Sequence, residues 1–534
     1  MPYPIPQIQR TPTGTAQLIV DGKPHLILGG ELHNSSASSL DHLDEHTWER
    51  AQMHNCNTLF VPVYWELLEP SEGQFNFSLV EGLIQRARTH KLRLVLLWFA
   101  TWKNGRSHYA PAWVKTDTER FFRMQVAPNK TCSSISPMCA DACQADSRAF
   151  SALMQHLAHF DAEDHTVIMV QVQNEPGLLG APRDFSPAAS AAFQTLVPSE
   201  LSAALQERKE NGNIRPEILR ALADAQSQRS DPQQENLTWP ELFGDAACEV
   251  FMAWHIAKYV NQVAQAGRAQ YDLPCYANCW LVQHPNQHPG EYPSGGPVSR
   301  MMDIWQIAAP HLDALAPDIY LDNFASICAD YTTLSNPLII PEAADTHGEA
   351  SAHAVYAFGQ HNAIGFAPFG IDSLDDPRLA ETYQLLSDLH PLITAHHNSE
   401  KMTAVLQGGY SNSGLGPEPG INRSDRVVIT LENYYAEVCY HEPLQPGCPP
   451  AVALIIEETA DQLIVAGMGN VDVNFSARHL AQTDQKLNVD YLSIEEGNYR
   501  DGTWIPGRRL NGDEYVVRLG EKPTVRRVSL YRYR

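Results

Sequence analysis

Two glutamates stand at the ends of almost uninterrupted apolar runs in this chain. The run Thr166–Val172 (TVIMVQV) leads to Asn174 and Glu175, and the run Pro337–Glu342 (PLIIPE) ends on Glu342. A carboxylate at the end of a buried strand is costly unless it has partners or a chemical role. One such glutamate alone would more often cap a helix or pair with an arginine. Two of them, the first preceded directly by an asparagine, favour a catalytic role.

Paired carboxyl groups are suited to the cleavage of an acetal. One carboxylic acid protonates the departing oxygen, and one carboxylate attacks or stabilises the developing oxocarbenium ion. When the two groups lie about 5–5.5 Å apart, a covalent glycosyl-enzyme forms and the anomeric configuration is retained. The acid needs a raised pKa, and a second carboxylate close by contributes to that shift. Glu175 and Glu342 are therefore predicted to be the two carboxyl groups of a glycosidase.

Eight runs rich in Val, Ile and Leu, all within residues 1–395, would have to position this pair. They are His25–Glu31, Thr58–Tyr64, Arg93–Phe99, Thr166–Val172, Pro274–Trp280, Asp313–Tyr320, Pro337–Glu342 and Ile364–Gly370. Parallel strands buried on both faces produce such runs, and helix-like segments lie between them. The pattern predicts an α/β fold, a (β/α)8 TIM barrel with long βα-loop insertions. Strands four and seven face each other across such a barrel, so Glu175 and Glu342 can approach one another.

A doubly wound open sheet is the structural alternative. A dinucleotide-binding sheet of that kind carries a G-x-G-x-x-G fingerprint after its first strand. The first run here ends in Gly29, Gly30 and Glu31 instead. The barrel is therefore favoured, and no cofactor is expected.

Residues 396–534 follow a different pattern, in which apolar and polar residues alternate with period two. The predicted strands are Arg426–Tyr435, Ala451–Glu457, Gln462–Ala466 and Tyr515–Leu519. Turn residues separate these strands, which is typical of antiparallel sheets. We predict a smaller antiparallel β-sandwich domain over 396–534, after a catalytic barrel over 1–395.

Other side chains follow the remaining strands at the barrel end where active sites lie. They are Glu31, His33, Tyr64, Glu66, Trp102, Lys103, Trp280, Tyr320 and Asp372. Each is a candidate for contact with a substrate, with packing behind the site as the alternative. His33 is followed by Asn34 and Ser35 rather than by the His-x-His of metal-dependent barrels, so no metal is expected.

Composition limits the partners of this protein. The 534 residues include 38 Lys and Arg against 62 Asp and Glu, which gives a net charge of −24. Such a surface repels phosphate backbones and anionic lipid, so neither nucleic acid nor a membrane is expected as a partner. The N-terminus shows no secretory signal. We expect a cytoplasmic location, or a secreted or periplasmic one if a signal has been removed.

Five segments carry a resemblance to known enzymes. They are Gly30–Ser36 (GELHNSS), Val63–Pro70 (VYWELLEP), Trp98–Gly105 (WFATWKNG), Gln173–Gly177 (QNEPG) and Gly502–Glu514 (GTWIPGRRLNGDE). Together they resemble the glycoside hydrolase family 35 β-galactosidases, in the branch with a C-terminal β-sandwich domain, with some likeness to family 42. Both families belong to the clan of retaining glycosidases whose catalytic glutamates follow strands four and seven.

The resemblance implies roles for four residues. Glu175 would be the acid/base, and Asn174 would bind the sugar 2-hydroxyl. Glu342 would be the nucleophile, and Tyr320 would hydrogen-bond to it. The implied activity is that of a retaining exo-β-galactosidase acting on terminal β-galactosyl residues of oligo- or polysaccharides. The expected partner is a β-galactoside oligosaccharide, with a homodimer left open.

The sequence departs from family 35 at two places. Glu66 stands where many members have asparagine, and Phe99–Lys103 replaces the Asn-Ala-Glu or Cys-Ala-Glu motif of strand three. One alternative is therefore the same mechanism on another β-linked sugar, such as a glucoside, fucoside or mannoside. The other is a carbohydrate-binding barrel without catalysis, against which the presence of Asn174, Glu175 and Glu342 argues.

Overall fold

Eight parallel strands form a barrel in the computed structural model, which describes residues 4–12, 14–229, 231, 234, 236–408, 426–478, 487–500 and 502–534. A small antiparallel sheet precedes the barrel and consists of β1 (Gln7–Arg10), β2 (Ala16–Val20) and β3 (Lys23–Pro24). The next ten strands are β4 (Ile27–Glu31), β5 (Thr58–Tyr64), β6 (Arg93–Lys103), β7 (Arg123–Ala127), β8 (Lys130–Ile135), β9 (Val167–Asn174), β10 (Cys275–Trp280), β11 (Ala314–Asp318), β12 (Ile339–Ala343) and β13 (Gly365–Pro368). Strands β7 and β8 pair with each other, and the other eight form the barrel.

The strand order in the barrel sheet is β11-β10-β9-β6-β5-β4-β13-β12. The ring closes between β11 and β12, where Ile319 pairs in parallel with Ala343. The Ile319 amide also donates to the Glu342 carbonyl at 2.8 Å. Strands β5 and β9 are buried at every position, which explains their continuous apolar sequence. The prediction of a TIM barrel is confirmed.

Helices surround the barrel strands. They are α1 (Leu40–His46), α2 (Trp48–Met53), α3 (Trp65–Leu68), α4 (Ser78–His90), α5 (Ala112–Thr116), α6 (Ala140–Phe160), α7 (Pro187–Phe193), α8 (Ser199–Glu210), α9 (Pro216–Ser227), α10 (Trp239–Phe243), α11 (Ala247–Arg268), α12 (Met302–Ala308), α13 (Phe324–Tyr331), α14 (Ala350–His361) and α15 (Pro377–Ala395). Within the described residues, no helix is both long and apolar enough to cross a membrane.

Two predicted strand ends are wrong in ways that affect the site. Strand β6 runs on to Lys103 instead of ending at Phe99, because buried residues continue to the end of the run. Strand β11 ends at Asp318, so Tyr320 lies beyond it rather than within it. Both differences place side chains at the carboxyl end of the barrel.

The C-terminal region forms two antiparallel sheets. Its strands are β14 (Met402–Leu406), β15 (Arg426–Thr430), β16 (Tyr434–Tyr440), β17 (Val452–Thr459), β18 (Gln462–Met468), β19 (Val471–Ala477), β20 (Asn488–Arg500), β21 (Thr503–Arg509), β22 (Arg518–Leu519) and β23 (Thr524–Tyr533). The six-stranded sheet has the order β14-β17-β18-β23-β20-β21, and the four-stranded sheet has the order β15-β16-β19-β22. Side chains such as Val405, Ile455 and Val473 form an apolar cluster shared by both sheets. The antiparallel β-sheet architecture agrees with the prediction, whereas the domain boundary at residue 395 stays a prediction.

Two predicted C-terminal strands need correction. The segment Arg426–Tyr435 is not one strand, because β15 ends at Thr430 and β16 begins at Tyr434. Glu432 and Asn433, which favour a turn, lie between them. The predicted strand Tyr515–Leu519 is reduced to Arg518–Leu519, because the Tyr515 and Val516 amides donate to the Gly512 and Glu514 carbonyls instead of to a neighbouring strand.

The six-stranded sheet also packs against helix α14 of the barrel. A Cβ atom at Gly359 in α14 would lie 2.6 Å from Leu454 and 2.8 Å from Ala404. Only glycine allows this close approach between helix and sheet. The alternation of Ala404 and Val405 follows from it, because one faces the barrel helix and the other faces the apolar cluster between the two sheets.

Candidate active site

Glu175 follows directly after β9 and is 6% exposed. The backbone around it is in the left-handed region, with φ of 67° at Gln173 and 43° at Glu175. Non-glycine residues adopt such angles at a cost, and they do so mostly where the surrounding structure fixes a functional side chain. The Glu175 amide donates to Oδ1 of Asn278 at 2.8 Å, and Asn104 Nδ2 donates to Glu175 Oε2 at 2.6 Å. These bonds fix both ends of the residue.

Glu342 lies on β12, across the barrel from Glu175, and is 4% exposed. The Tyr320 hydroxyl donates to its Oε2 at 2.8 Å. Asn174 Nδ2 and Asn278 Nδ2 both point to its Oε1 at the longer distance of 3.4 Å. Three donors, from β9, β10 and the segment after β11, therefore surround this carboxylate.

The carboxylates of Glu175 and Glu342 lie close together. One oxygen of each, with one of Asp318, falls within 4.8 Å of the others. This separation is nearer to the about 5–5.5 Å of retaining glycosidases than to the about 6.5–9.5 Å of inverting ones. The cluster is also compact enough to hold a cation, but we assign no metal to it because Lys103 already lies among these carboxylates.

The pKa values of the cluster follow from burial and from like charges. Burial, followed by the Glu342 carboxylate, raises the pKa of Glu175 to about 7, although Lys103 acts in the opposite direction. Burial and Glu342 likewise raise the pKa of Glu31 well above its usual range. A carboxyl with a pKa near neutrality can give up a proton and take one back during a reaction at pH 7.

Lys103 supplies positive charge at the base of the site. It ends β6, is 6% exposed, and lies 4.8 Å from the centre of the Phe99 ring. Burial lowers the pKa of Lys103, but Glu342, Glu175 and the other nearby carboxylates outweigh burial and raise it above its usual range. Lys103 therefore stays charged and partly neutralises the cluster.

Several other predicted residues are also at the mouth of the barrel. His33 Nδ1 contacts Asp372 Oδ1 at 2.6 Å, and the Ser36 hydroxyl donates to Asp372 Oδ2 at 2.5 Å. The His33 side chain is 46% exposed, so it is held at the rim and remains open to a ligand. Trp280 is half-buried and lies opposite Asp318 in the strand register.

Three further predicted residues make contacts with other parts of the protein. Glu66 lies on α3 and pairs with Lys115 Nζ at 2.8 Å. Trp102 is fully buried, and its indole donates to the Ile135 carbonyl at 3.2 Å. The Tyr64 hydroxyl donates to the Asn34 carbonyl at 2.8 Å. These contacts favour structural support over sugar contact for all three.

Asn278 and Asp318 belong to the cluster although they were not predicted. Asn278 lies inside β10 and is fully buried, and its Nδ2 donates to Asp318 Oδ2 at 2.8 Å. Asp318 is the last residue of β11 and is 2% exposed. A polar residue inside an otherwise apolar predicted strand is the signal that could have identified both.

Asp146 is a third residue that was missed, and it supports the site from behind. It lies on α6, is fully buried, and accepts hydrogen bonds from Trp98 Nε1 at 2.8 Å and from Thr101 Oγ1 and Gln173 Nε2 at 2.6 Å. Burial raises its pKa to about 6, although these donors lower it. Asp146 thus connects β6 to Gln173, the residue two positions before Glu175.

Two family models match parts of the chain. The model described as Beta-galactosidase (Glyco_hydro_42) matches residues 40–210, and a domain of unknown function (DUF5597) matches residues 379–519. The first segment includes Asn174 and Glu175 but ends before Glu342. The similarity is thus to glycoside hydrolase family 42, and the predicted assignment to family 35 is not supported by these matches.

A β-galactosidase of Xanthomonas manihotis is 28% identical over 172 residues, which are 31% of this chain and 26% of that protein. The chain thus spans about a quarter of the length of the curated relative that it matches. Gan42B, a GH42 β-galactosidase from G. stearothermophilus, has a solved structure with a TM-score of 0.51 at 12% identity, covering 99% of this chain and 100% of that one. At this identity the likeness shows a shared fold.

Proposed function

We propose that this protein is a retaining exo-β-galactosidase that hydrolyses terminal β-galactosyl residues of oligo- or polysaccharides. The observation that carries the proposal is the buried pair of carboxylates on opposite strands, with oxygens of Glu175 and Glu342 within 4.8 Å of each other. Pairs at this separation act by double displacement. The similarity of residues 40–210 to β-galactosidases supports galactose as the sugar.

In the first step Glu342 attacks the anomeric carbon, and the bond to the leaving oxygen breaks. Glu175 gives its proton to that oxygen, for which its pKa of about 7 is suited. Tyr320 keeps the attacking carboxylate oriented through its hydrogen bond of 2.8 Å. The products of this step are the free aglycone and a galactosyl ester on Glu342.

In the second step the ionised Glu175 takes a proton from a water molecule. The water oxygen attacks the anomeric carbon, and the ester bond to Glu342 breaks. Two inversions give net retention of the β-configuration. Lys103 remains charged throughout and offsets the negative charge that moves between the two glutamates.

A panel of chromogenic β-glycosides tests the sugar assignment. We expect kcat/KM to be highest for the β-galactoside and lower for the gluco, fuco and manno analogues. When the configuration at one sugar hydroxyl is inverted, the buried polar groups that hydrogen-bond to that hydroxyl are left unpaired. This loss can lower kcat/KM by a large factor. Equal or higher kcat/KM for an analogue would contradict galactose specificity, and no turnover of any β-glycoside would contradict the enzyme assignment.

A further inference from the structure

Four carboxyl groups lie at the base of the site, but only one lysine lies among them. They are Glu31, Glu175, Asp318 and Glu342, and burial of each is at least nine-tenths complete. Oxygens of Glu175, Asp318 and Glu342 are within 4.8 Å of one another. Carboxylates so close cannot all be ionised in a buried site, so they must share protons. The question is which group keeps a proton when Glu175 has lost its own.

The surroundings of Asp318 indicate that Asp318 keeps this proton. Asn278 Nδ2 donates to Asp318 Oδ2 at 2.8 Å, whereas Oδ1 is buried and receives no donor among the described residues. One oxygen of the Asp318 carboxyl lies within 4.8 Å of one oxygen of the Glu175 carboxyl. An ionised carboxylate can only accept, so a hydrogen bond between two carboxyl groups requires a proton on one of them.

Asp318 is the better holder of that proton. Burial raises its pKa well above the usual range, and the carboxylates of Glu342, Glu175 and Glu31 raise it further. The titratable and charged groups that face it are Glu31, Lys103, Glu175, Tyr276, Cys279, Tyr320, Tyr331 and Glu342. Only Lys103 among them is a cation, and its charge is shared with three other carboxyl groups.

We propose that Asp318 is a neutral carboxylic acid that donates a hydrogen bond to Glu175 and thereby stabilises the ionised form of Glu175. This inference rests on the proposed function. As Glu175 transfers its proton to the leaving oxygen, negative charge develops on Glu175, and the Asp318 hydroxyl is already in position to donate to it. Asp318 keeps its own proton through both steps. It is a positioning residue, because it contacts Glu175 rather than the sugar.

The substitution Asp318→Asn gives the sharpest test. The amide reproduces a neutral acid, since its oxygen can accept from Asn278 and its nitrogen can donate to Glu175. We expect kcat/KM for a phenyl β-galactoside to be about 10-fold or more above that of Asp318→Ala, with the basic limb of its pH profile unmoved from that of the wild type. If Asp318 is instead an anion, the substitution removes a negative charge beside Glu175. Activity would then fall and the basic limb would move to lower pH, which would overturn the proposal.

The substitution Asp318→Ala removes the donor. The ionised Glu175 is then less stable, its pKa rises, and the basic limb moves to higher pH. Loss of a hydrogen bond to a charged group lowers kcat by about 10- to 100-fold, with little change in KM. A basic limb that stays in place or moves to lower pH would contradict the proposal. Asp44→Asn, at the exposed pair with Arg86 on the outside of the barrel, is the control and leaves all parameters unchanged.

Thermal unfolding of each variant establishes that it is folded. Mechanism-based labelling of Glu342 in the wild-type protein distinguishes failure of the proposed function from failure of the role proposed for Asp318. If the wild-type protein does not label, the proposed function fails. If it labels while the two Asp318 variants behave as for an anion, the glycosidase assignment stands and only the role of Asp318 fails.

Discussion

The hydroxyl of Tyr320 donates to Oε2 of Glu342 at 2.8 Å, although the two residues come from different strand ends. Tyr320 lies just beyond β11, and Glu342 lies in β12. The two strands meet where the barrel closes, through the pairing of Ile319 with Ala343. The barrel closure itself thus places the phenol beside the carboxylate.

Replacement of Tyr320 by phenylalanine tests this contact. A hydrogen bond to a charged group contributes about 1.5–3 kcal/mol, so we expect Tyr320→Phe to lower kcat by about 10- to 100-fold, with KM less affected. Tyr499→Phe is the matched control, because Tyr499 donates to Glu458 at the same distance of 2.8 Å in the C-terminal sheets. Steady-state kinetics of both variants test this expectation. A kcat in Tyr320→Phe equal to that of the wild type would rule out a catalytic role for the Tyr320 hydroxyl.

Glu342 should be the residue that carries the covalent intermediate. A 2-deoxy-2-fluoro-β-galactoside with a good leaving group slows both steps but restores the first, so the glycosyl-enzyme accumulates. Peptide mapping should find the label on Glu342. Glu342→Gln should be folded and should neither label nor turn over substrate. Glu31, Glu66 and Glu175 are internal controls, and a label on any of them would refute the assignment.

Glu175 should act as the acid/base. Glu175→Gln should nearly abolish turnover of galactosides with poor leaving groups, while the first step with activated aryl galactosides should persist because their departure needs no proton. Added azide should then release the sugar as the β-galactosyl azide, which nuclear magnetic resonance identifies. Formation of the α-azide would show single displacement and contradict the role of Glu175.

The sequence was sufficient to predict the barrel and to single out Glu175 and Glu342, whose carboxylates lie close together, while their catalytic role stays a prediction. Apolar runs indicate strands that are buried on both faces. A glutamate at the end of such a run, or a few residues after it, stands out from the run, as with Glu342 and Glu175. Strand limits were less accurate, because the apolar character of β6 continues to Trp102. In the C-terminal region the hairpin at 431–433 was missed, since alternation continues through the turn.

The contacts within the site were harder to predict. Asn278 lies inside β10 and Asp318 lies inside the predicted run Asp313–Tyr320, whereas the predicted site residues stand at or just after the ends of such runs. Asp146 is about thirty positions from Glu175 in sequence and reaches the site only because α6 packs behind β6 and β9. Glu66 was predicted as a sugar contact because it follows β5; its ion pair with Lys115 could not be predicted, because α3 begins at this point.

Asn104 offers a test of the pH dependence. Its Nδ2 donates to Glu175 Oε2 at 2.6 Å, and this bond lowers the Glu175 pKa, which is about 7. Asn104→Gly removes the donor without backbone strain, because φ at this position is 52° and glycine tolerates it. The pKa of Glu175 should rise, and since the acid must be protonated, the basic limb of kcat/KM should move to higher pH.

The control for this substitution is Asn362→Gly, which has the same φ of 52° at the end of α14. It should leave the pH profile unchanged. If Asn104→Gly moves the basic limb to lower pH, or if both variants move it equally, the limb does not report on Glu175.

Asp146 should affect both stability and turnover, because it holds three buried donors and one of them belongs to Gln173. Each buried donor left without a partner costs about 1–3 kcal/mol, so Asp146→Ala should lower the free energy of unfolding by about 3 kcal/mol or more. Gln173 would also lose its hydrogen-bond acceptor, and a displacement of Glu175 by about 1 Å can reduce kcat roughly 100-fold.

Glu249→Ala is the control for this substitution, since Glu249 is another buried carboxyl, bonded to Tyr292 at 2.6 Å. It should lower stability but keep kcat at temperatures where the protein is folded. Urea unfolding and kinetics at such a temperature distinguish the two, and a wild-type kcat in Asp146→Ala would show that Gln173 does not need Asp146 to position Glu175.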